Sequence, residues 1–430
     1  MHSKIQSAYT IGLDTFGVEV EADISSGMPS FSIVGLGDVS VQESRERVRS
    51  AIKNSGYDFP QTRKTINLAP ACIKKQGSIF DLPIALSILA ASKQIDARVF
   101  DGSIFAGEVA LDGKIKKING AILIAEFVKK SNYKTLYLPF ENAAEASYVD
   151  GINIMPVKSL REIVEHLRFG NTILPYKNIS GIQNISGSHN RYEANCVDFK
   201  FIAGQEFAKR AITISAAGGH NLLMIGPPGC GKTMLAHSMR TILPPMDFDE
   251  AMEVTKIYSA AGMTGTMEPI IWTRPFREVH HTASAISVLG GGQNFMPGEI
   301  SLAHRGILFF DEVTLFPINI LENLRQPLES GMITISRARH RVTYPSNFIF
   351  IGAMNPCPCG YFGDETKRCI CTDNQIRTYK NKISGPMLDR IDLIITMKRI
   401  PFQKLAEENA RQTSFEIAEM VKMARERQKF

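Results

Sequence analysis

The segment NLLMIGPPGCGKTMLAHSMRTIL, residues 221–243, decides the fold of this chain. It begins with an apolar run typical of a buried strand, continues through a glycine-rich loop and ends in a run typical of a helix. The loop GPPGCGKT satisfies the pattern Gly-x4-Gly-Lys-Thr in the strand, loop and helix order that phosphate-binding loops require. The segment therefore predicts an α/β domain with a nucleotide-binding P-loop.

Each residue type in this loop has a physical reason. Glycines let backbone N–H groups close around phosphate oxygens, and the following helix directs its positive end toward the same anion. Lys232 adds a charge at the β- and γ-phosphates, and the Thr233 hydroxyl can ligate Mg²⁺. The predicted ATP-binding residues of the loop are Gly226, Pro227, Pro228, Gly229, Cys230, Gly231, Lys232 and Thr233.

Two later apolar runs end in polar residues suited to the same site. GILFFDE, residues 306–312, places Asp311 and Glu312 at the carboxyl end of a strand, which in a parallel sheet lies beside the P-loop. Asp311 is predicted to hold the Mg²⁺ shell, and Glu312 to polarise the water that attacks the γ-phosphate. NFIFIGAMN, residues 347–355, ends in Asn355, which either contacts the γ-phosphate or orients this water, or only starts a turn before Pro356.

A third polar candidate follows in YKNKISGPMLDRIDLIITM, residues 379–397. Arg390 lies between a helix end and a strand, where it could face the γ-phosphate of a neighbouring subunit and stabilise charge in the transition state. The alternative is a structural ion pair with Asp389 or Asp392. The predicted catalytic residues are therefore Glu312, Asn355 and Arg390.

Four of the seven cysteines lie close together directly after Asn355. The spacing Cys-x-Cys, nine residues, Cys-x-Cys lets four thiolates close tetrahedrally on Zn²⁺, although Cys-x-Cys is a tighter bite than the usual Cys-x2-Cys. Reversible disulfide chemistry and free buried thiols are the alternatives. The predicted metal ligands are Cys357, Cys359, Cys369 and Cys371.

Length and composition limit the class of protein. A chain of 430 residues favours two or three domains, and 44% hydrophobic with 21% charged residues is typical of globular proteins. No apolar run approaches the roughly 20 residues that span a bilayer, and the start lacks a signal peptide, so we expect a cytoplasmic protein without membrane contact. The formal charge of +6 permits a nucleic-acid partner.

Composition also indicates the domain boundaries. Residues 1–169 are typical of a mixed α/β domain, in which Asp81 is placed to cap a helix and Asp112-Gly113 to turn a hairpin. Residues 170–195 are rich in Asn, Ser and Gly, as interdomain linkers are. Residues 196–401 form the P-loop domain, and residues 402–430 predict charged amphipathic helices that stop without a clear terminus.

Long segments of the chain resemble the magnesium-chelatase-like AAA+ ATPases of the competence protein ComM group, also called YifB. This resemblance implies a Lon-protease-like (S5-type) α/β domain over residues 1–169, an AAA+ P-loop domain over 196–401 and the start of a helical lid over 402–430. It also implies a hexameric ring with ATP-driven helicase or branch-migration activity on DNA during integration of transforming DNA. The resembling segments are FSIVGLGDVSVQESRERVRSAIKNSG, INLAPACIKKQGSIFDLPIAL, GPPGCGKT, PGEISLAHRGILFFDE, MNPCPCG and SGPMLDRIDL.

The chain departs from the Lon pattern at its catalytic positions. Ile122 stands where Lon proteases carry the catalytic Lys, and Ser78 is outside the Lon serine context. A Ser hydroxyl without a base is a poor nucleophile. We therefore expect a non-proteolytic scaffold or a DNA-contacting platform. The chain also ends near the start of the lid, where the family carries a second Arg for the nucleotide.

Two further features bear on function. The segment GMITISRARHRVTYPSN, residues 331–347, predicts a hairpin whose basic tip either contacts a phosphate backbone or is only a solvated end. The basic residues of the hairpin are Arg337, Arg339, His340 and Arg341.

His280 and His281 are adjacent in the sequence and so are poorly placed to share one metal ion.

Three functions agree with the sequence. The first is an ATP-dependent ring motor that acts on single-stranded or branched DNA. The second is a chelatase-type ATPase that remodels a partner protein, and the third is a scaffold that binds nucleotide without hydrolysing it.

Overall fold

The computed structural model describes residues 1–72, 74–170, 173–177, 197–265, 268–292, 294–337, 340–400 and 412–428. The chain divides into two compact units, one formed by Met1–Gln183 with Tyr258–Ile270 and the other by Asn184–Ile257 with Ile271–Phe430. Within the described ranges, no helix combines the length and the apolar character that a membrane crossing requires. The predicted linker, residues 170–195, lies mostly outside the described residues, as does the first part of the predicted lid.

The first sheet of the first unit follows from the alternating pattern at the start of the chain. In β2 (Asp14–Ser25) the alternate residues Val18, Val20 and Ala22 are buried. This strand pairs antiparallel with β1 (His2–Ile11) and with β4 (Arg63–Ala69), and β3 (Ser30–Val34) joins β4 in parallel. The strand order is β1-β2-β4-β3.

A second sheet of this unit is parallel, in the order β5-β8-β9. The predicted hairpin is confirmed: β6 and β7 pair antiparallel, and Gly113 in the turn has a φ of 85°. The further strands of the unit are β5 (Ser103–Phe105), β6 (Glu108–Val109), β7 (Ile115–Lys116), β8 (Thr135–Pro139) and β9 (Asn153–Val157). Its helices include α1 (Val39–Asn54), α2 (Asp81–Ala91), α3 (Ala121–Lys130), α4 (Phe140–Ala146) and α5 (Leu160–Phe169).

The expectation that Asp81 caps α2 is wrong. Phe80 occupies the cap position without a side-chain hydrogen bond, and Asp81 is already inside the helix and fully buried. Its carboxylate accepts hydrogen bonds from Ser44 Oγ at 2.5 Å and Arg47 Nε at 2.8 Å. A buried carboxylate needs such partners, so Asp81 joins α1 to α2 instead of capping a helix.

A short segment from the middle of the chain, Tyr258–Ile270, belongs to the first unit although the sequence assigns it to the P-loop domain. Its anchor is the buried carboxylate of Glu145, which accepts hydrogen bonds from Ser259 Oγ and, at 3.1 Å, from Thr264 Oγ1. Gly120 also donates its backbone N–H to the Ser259 carbonyl at 3.0 Å. These bonds satisfy a buried charge and hold the segment in place.

The second unit is built on a five-stranded parallel sheet in the order β11-β14-β17-β10-β18. Its three central strands, β10, β14 and β17, are continuous apolar runs because both faces of a parallel sheet are covered there, and every residue of β14 and β17 is buried. The strands of this sheet are β10 (Leu222–Ile225), β11 (Phe276–Val279), β14 (Ile307–Phe310), β17 (Ile349–Met354) and β18 (Leu393–Thr396).

Helices and short hairpins surround this sheet. The short strands are β12 (Gly290–Gly291), β13 (Met296–Pro297), β15 (Met332–Arg337) and β16 (His340–Pro345). The helices include α6 (Glu206–Gly218), α7 (Lys232–Met239), α8 (Phe248–Ala260), α9 (Ala285–Leu289), α10 (Glu299–Leu302), α11 (Ile318–Asn323), α12 (Arg325–Ser330), α13 (Asp373–Lys380), α14 (Gly385–Leu388) and α15 (Ser414–Gln428).

The helix α15 packs on the core of the second unit. Ile417 and Val421 are buried in the same cluster as the central strands. Its first residue, Ser414, accepts hydrogen bonds from the backbone N–H of Phe199 at 3.0 Å and from Thr241 Oγ1 at 2.7 Å. The described part of the predicted 402–430 region is thus a helix fixed to the P-loop unit.

Candidate active site

The P-loop connects the carboxyl end of β10 to the start of α7, as predicted. Gly229 and Gly231 adopt positive φ angles of 76° and 93°, in a region that side chains with a Cβ rarely enter. No atom lies within 4 Å of a Cβ built on either glycine, so the backbone conformation alone requires glycine there. This conformation leaves the N-terminus of α7 open toward a phosphate.

Lys232, Thr233, Asp311 and Asn355 meet at the carboxyl edge of the sheet. The Thr233 hydroxyl donates to Asp311 Oδ2 at 2.9 Å, and Lys232 Nζ donates to Asn355 Oδ1 at 3.2 Å. Lys232 Nζ also donates to the Gly226 carbonyl at 2.7 Å. The sequence predicted these residues from separate motifs, and the sheet brings them within hydrogen-bonding distance.

The electrostatics of the P-loop lysine suit an anionic ligand. Lys232 is 9% exposed, and burial lowers the pKa of its ammonium group despite the opposing charges of Asp311 and Glu312. A buried cation with few water contacts interacts strongly with an anion placed beside it. The phosphate group of a nucleotide supplies such an anion.

Glu312, the second residue after β14, has a strained backbone conformation. Its φ of 52° is positive, which is uncommon for a residue other than glycine and costs on the order of 1–3 kcal/mol. The backbone N–H of Glu312 donates to Asp311 Oδ1 at 2.9 Å. Such strain persists at functional sites, and the Glu312 side chain is exposed.

The structure places His280 and His281 beside this pair of acids. They follow β11, and the register Val279↔Phe310 aligns them with the residues that follow β14. Both line a cavity of about 360 Å³ together with Asp311 and Glu312. The sequence analysis considered the two histidines only as metal ligands and missed this position, because the pairing of β11 with β14 is a property of the folded sheet.

A second cavity, of about 520 Å³, lies on the other side of Glu312 and Asn355. It is lined by α13, which contributes Tyr379, and by Lys382, whose ammonium donates to the Thr314 carbonyl at 3.1 Å. Burial raises the pKa of Tyr379. No sequence motif points to these two residues, because they join the site only through the packing of α13.

The four cysteines of the predicted metal site lie together. Their Sγ atoms are all within 4.8 Å of one another, with distances of 3.3 Å for Cys357–Cys359, 3.7 Å for Cys357–Cys369 and 3.6 Å for Cys359–Cys369. In a tetrahedral zinc site with Zn–S bonds of about 2.3 Å, neighbouring sulfurs are about 3.8 Å apart. The thiols are free, without a disulfide, and their spacing fits a single tetrahedral ion.

Hydrogen bonds around these sulfurs favour a thiolate at one position. The backbone N–H groups of Ile370 and Tyr361 lower the pKa of Cys359 to about 6. Burial and the nearby thiols raise the pKa of Cys371. Four thiolates this close repel one another unless a cation lies between them. Among the described residues, this is the group of His, Cys, Asp or Glu side chains with ligand atoms close enough for a metal ion.

The segment that holds the four cysteines, residues 356–372 and here called the cysteine loop, also contacts the P-loop directly. Gly360 has a φ of 84°, and a Cβ built on it would lie 2.8 Å from Pro228 Cδ. Arg399 strengthens the contact, since it pairs with Asp364 of the cysteine loop at 3.2 Å and donates to the Pro228 carbonyl at 3.4 Å. The cysteine loop therefore supports the phosphate-binding backbone as well as the Asn355 strand from which it departs.

Arg390 lies at the opposite, amino edge of the sheet. Its carbonyl accepts a hydrogen bond from Asn221 Nδ2 at 2.8 Å, and Asn221 is the residue before β10. The four residues of β10 place about 13 Å between this edge and the P-loop. Arg390 therefore cannot reach phosphates bound by the P-loop of its own chain.

Among the described residues, the Arg390 side chain pairs with neither Asp389 nor Asp392. Its guanidinium pairs with Glu329 of α12 at 2.8 Å, and this hydrogen bond raises the pKa of Arg390. Asp392 instead accepts the backbone N–H of Asn221 at 2.7 Å. An exposed pair of this kind contributes little stability and can be exchanged for another partner.

The predicted basic hairpin forms from β15 and β16, with Arg337 opposite His340. Arg337 and Arg341 are exposed on it. Arg339 lies outside the described residues.

Comparisons with known proteins place these observations in a family. The family model described as magnesium chelatase, subunit ChlI, matches residues 198–405, and a second model, subunit ChlI of Mg-chelatase, matches residues 20–142. The chain is 41% identical over 427 residues to competence protein ComM of Haemophilus influenzae, which covers 98% of this chain and 82% of ComM. It is 40% identical over 425 residues to YifB of Salmonella typhimurium, which covers 99% and 81%. The magnesium-chelatase 67 kDa subunit of Heliobacterium mobile is 29% identical over 199 residues, which covers 40% of this chain and 30% of that subunit.

The contact between Gly360 and Pro228 generates a prediction about nucleotide affinity. In Gly360→Ala the new Cβ must displace Pro228, so we expect ATP affinity to fall about tenfold, equivalent to about 1.4 kcal/mol, in titration calorimetry. Gly363→Ala is the matched control, since Gly363 has a φ of 78° but no atom within 4 Å of the built Cβ. Equal affinities of the two variants for ATP would contradict the contact.

Proposed function

This chain belongs to the ComM/YifB family of magnesium-chelatase-like AAA+ proteins, and on that basis we propose that it is an ATP-driven ring motor that acts on DNA. One observation carries the proposal: the P-loop residues and Arg390 lie at opposite edges of one sheet. A complete hydrolytic site then requires Arg390 from a second copy of the chain. This arrangement supports assembly of more than one copy, and we propose a hexameric ring, the ring size that the resemblance implies.

The residues at the carboxyl edge divide the chemistry of ATP hydrolysis among them. Thr233 and Asp311 would hold Mg²⁺, which neutralises charge on the phosphates when bound. Glu312 accepts a proton from the attacking water, and Lys232 with Asn355 orients the γ-phosphate. Arg390 of the neighbouring copy leaves its ion pair with Glu329 and interacts with the negative charge that develops on the phosphates in the transition state.

DNA is the proposed substrate on which the motor acts. The hairpin of β15 and β16 presents exposed arginines, which can follow a phosphate backbone without reading its sequence. The formal charge of +6 agrees with this contact. The name of one relative, competence protein ComM, supports a role in competence. Helicase or branch-migration activity in recombination of transforming DNA is the form of that role that we propose.

We also propose that Cys357, Cys359, Cys369 and Cys371 hold a structural Zn²⁺. The four Sγ atoms fit its preferred geometry. When bound, the ion supplies positive charge that lets all four thiols ionise. The cysteine loop then supports Pro228 and Asn355 from one side.

The first unit is proposed to be a Lon-like scaffold without protease activity. Ser78 donates its hydroxyl hydrogen bond to the carboxylate of Glu108, and Ile122 is fully buried in α3 where a catalytic Lys would stand. Among the described residues, the hydrogen-bond partner of the Ser78 hydroxyl is a carboxylate and not the amine that Lon proteases use to remove the serine proton.

A chelatase-type ATPase that remodels a partner protein is the second candidate. The family model over residues 198–405 and the likeness to a magnesium-chelatase subunit favour it. Its turnover would respond to a protein and not to DNA. A scaffold that binds ATP without turnover is the third.

The DNA-motor proposal is tested by ATPase rates. We expect single-stranded or branched DNA to raise the rate several-fold, and Lys232→Ala to lose both basal and stimulated turnover, because the phosphates lose their buried cation. Phosphate release measured with and without each DNA checks this. Turnover indifferent to DNA favours the chelatase-type function, and bound ATP without turnover favours the scaffold.

The composite site is tested by mixing two inactive variants. Glu312→Gln removes the base and Arg390→Ala removes the arginine supplied to the neighbour, and each alone should lose on the order of 100-fold or more in kcat. In mixed rings some interfaces combine an intact Glu312 with an intact Arg390, so activity should return. A mixture as inactive as its components would exclude a site shared between copies.

The zinc proposal is tested by metal analysis under reducing conditions without chelators. We expect about one equivalent in the parent protein and less than a tenth in a Cys369→Ser, Cys371→Ser double variant, because two ligands cannot hold a tetrahedral site. Cys72→Ser is the control, since Cys72 is an exposed thiol of the other unit. Less than a tenth of an equivalent in the parent protein would reject the metal.

A further inference from the structure

A cavity of about 390 Å³ lies at the amino edge of the five-stranded sheet, on the side away from the P-loop. Gly306 and Phe348, which immediately precede β14 and β17, form part of its wall. The C-terminal end of α6 and the last turns of α15 complete the wall. The length of the strands separates this cavity from the nucleotide site, so each of the two sites can bind its own ligand.

Three arginines line this cavity, and two of them pair with carboxylates. Arg274 Nη2 donates to Glu250 at 2.7 Å, and Arg305 Nε donates to Glu253 at 2.8 Å, with Asp247 also close enough to act on the charge of Arg305. Arg425 has no carboxylate within ion-pair distance in the part of the chain that the structure describes. Its guanidinium is therefore the one in this cluster without an ion-pair partner among the described residues.

Arg425 is half-buried and only partly satisfied. Its Nε and Nη2 donate to one acceptor, the Ala216 carbonyl near the end of α6, at 3.0 and 2.7 Å. An arginine has five N–H donors, so three of them have no partner among the described residues. Burial lowers the pKa of Arg425, and the neighbouring Arg274 lowers it further. A half-buried cation in this state is stabilised by an anion.

We propose that this cavity is a binding site for a small phosphate-bearing anion. The guanidinium of Arg425 matches the paired oxygens of a phosphate group, and Arg305 lies on the same wall with Nη2 free of hydrogen bonds among the described residues. The carboxamide of Asn347, also in the wall, makes no hydrogen bond within the described residues and can donate to the same group. The volume admits a phosphate with a small substituent, whereas a strand of nucleic acid needs an extended groove.

The test uses the full chain carrying Lys232→Ala, so that the P-loop no longer dominates phosphate binding. Inorganic phosphate and pyrophosphate are titrated by calorimetry, and thermal unfolding is followed in parallel, since a ligand of the folded state raises the unfolding temperature. We expect Arg425→Gln to weaken binding about tenfold or more and to remove the thermal shift. Arg427→Gln, an exposed arginine on the same helix, should leave both unchanged.

Arg305→Gln provides a second variant, because Arg425 also holds the end of α6 and its loss could unfold the chain. A weaker affinity in folded Arg305→Gln supports the site even if Arg425→Gln fails to fold. No binding of either anion to the parent protein would overturn the proposal, as would equal affinities in the parent, Arg305→Gln and Arg427→Gln. Since this cavity is remote from the P-loop, either result leaves the proposed ATPase function untouched.

Discussion

The parallel direction of the strands in the second unit is the constraint from which the active site follows. Parallel neighbours cannot be joined by a tight turn, so each strand is separated from the next in sequence by a crossover. Their carboxyl ends nevertheless share one edge. Thr233 and Asp311, 78 residues apart, and Lys232 and Asn355, 123 residues apart, therefore meet within hydrogen-bonding distance. Because the site depends on this edge, the apolar strands that build the sheet are as necessary to it as the polar residues.

The same constraint removes Arg390 from the site of its own chain. β18 runs in the same direction as β10, and Arg390 precedes β18, so it lies at the edge where the strands begin. In the proposed ring, this separation makes ATP hydrolysis depend on the presence of a neighbouring copy of the chain. The pair with Glu329 gives the guanidinium an exposed partner that it can leave at low cost.

The cysteine loop shows how a segment with little apolar content can still have a defined structure. Ile370 is 85% exposed and Phe362 is 46% exposed, so the loop has no core of its own. Its order depends on the sulfur cluster and on contacts with Arg399 and Pro228. A metal at the cluster would supply the free energy that burial does not. The loop thus contacts the P-loop backbone as well as continuing from the Asn355 strand.

The amino-acid sequence by itself determined the features that depend on neighbouring residues: the P-loop glycines at positive φ, the strands ending in Asp311, Glu312 and Asn355, and the close spacing of the four cysteines. It also predicted the hairpin at Gly113. Only the tertiary structure decided what depends on strand order and packing. It buried Asp81 against Arg47 instead of at a helix cap, set His280 and His281 beside Asp311 and Glu312, and paired Arg390 with Glu329. The physical reason is the separation of the residues along the chain. A motif depends on the backbone conformations that its own neighbouring residues allow. A contact between distant residues forms only when the order of the strands in the sheet brings them together.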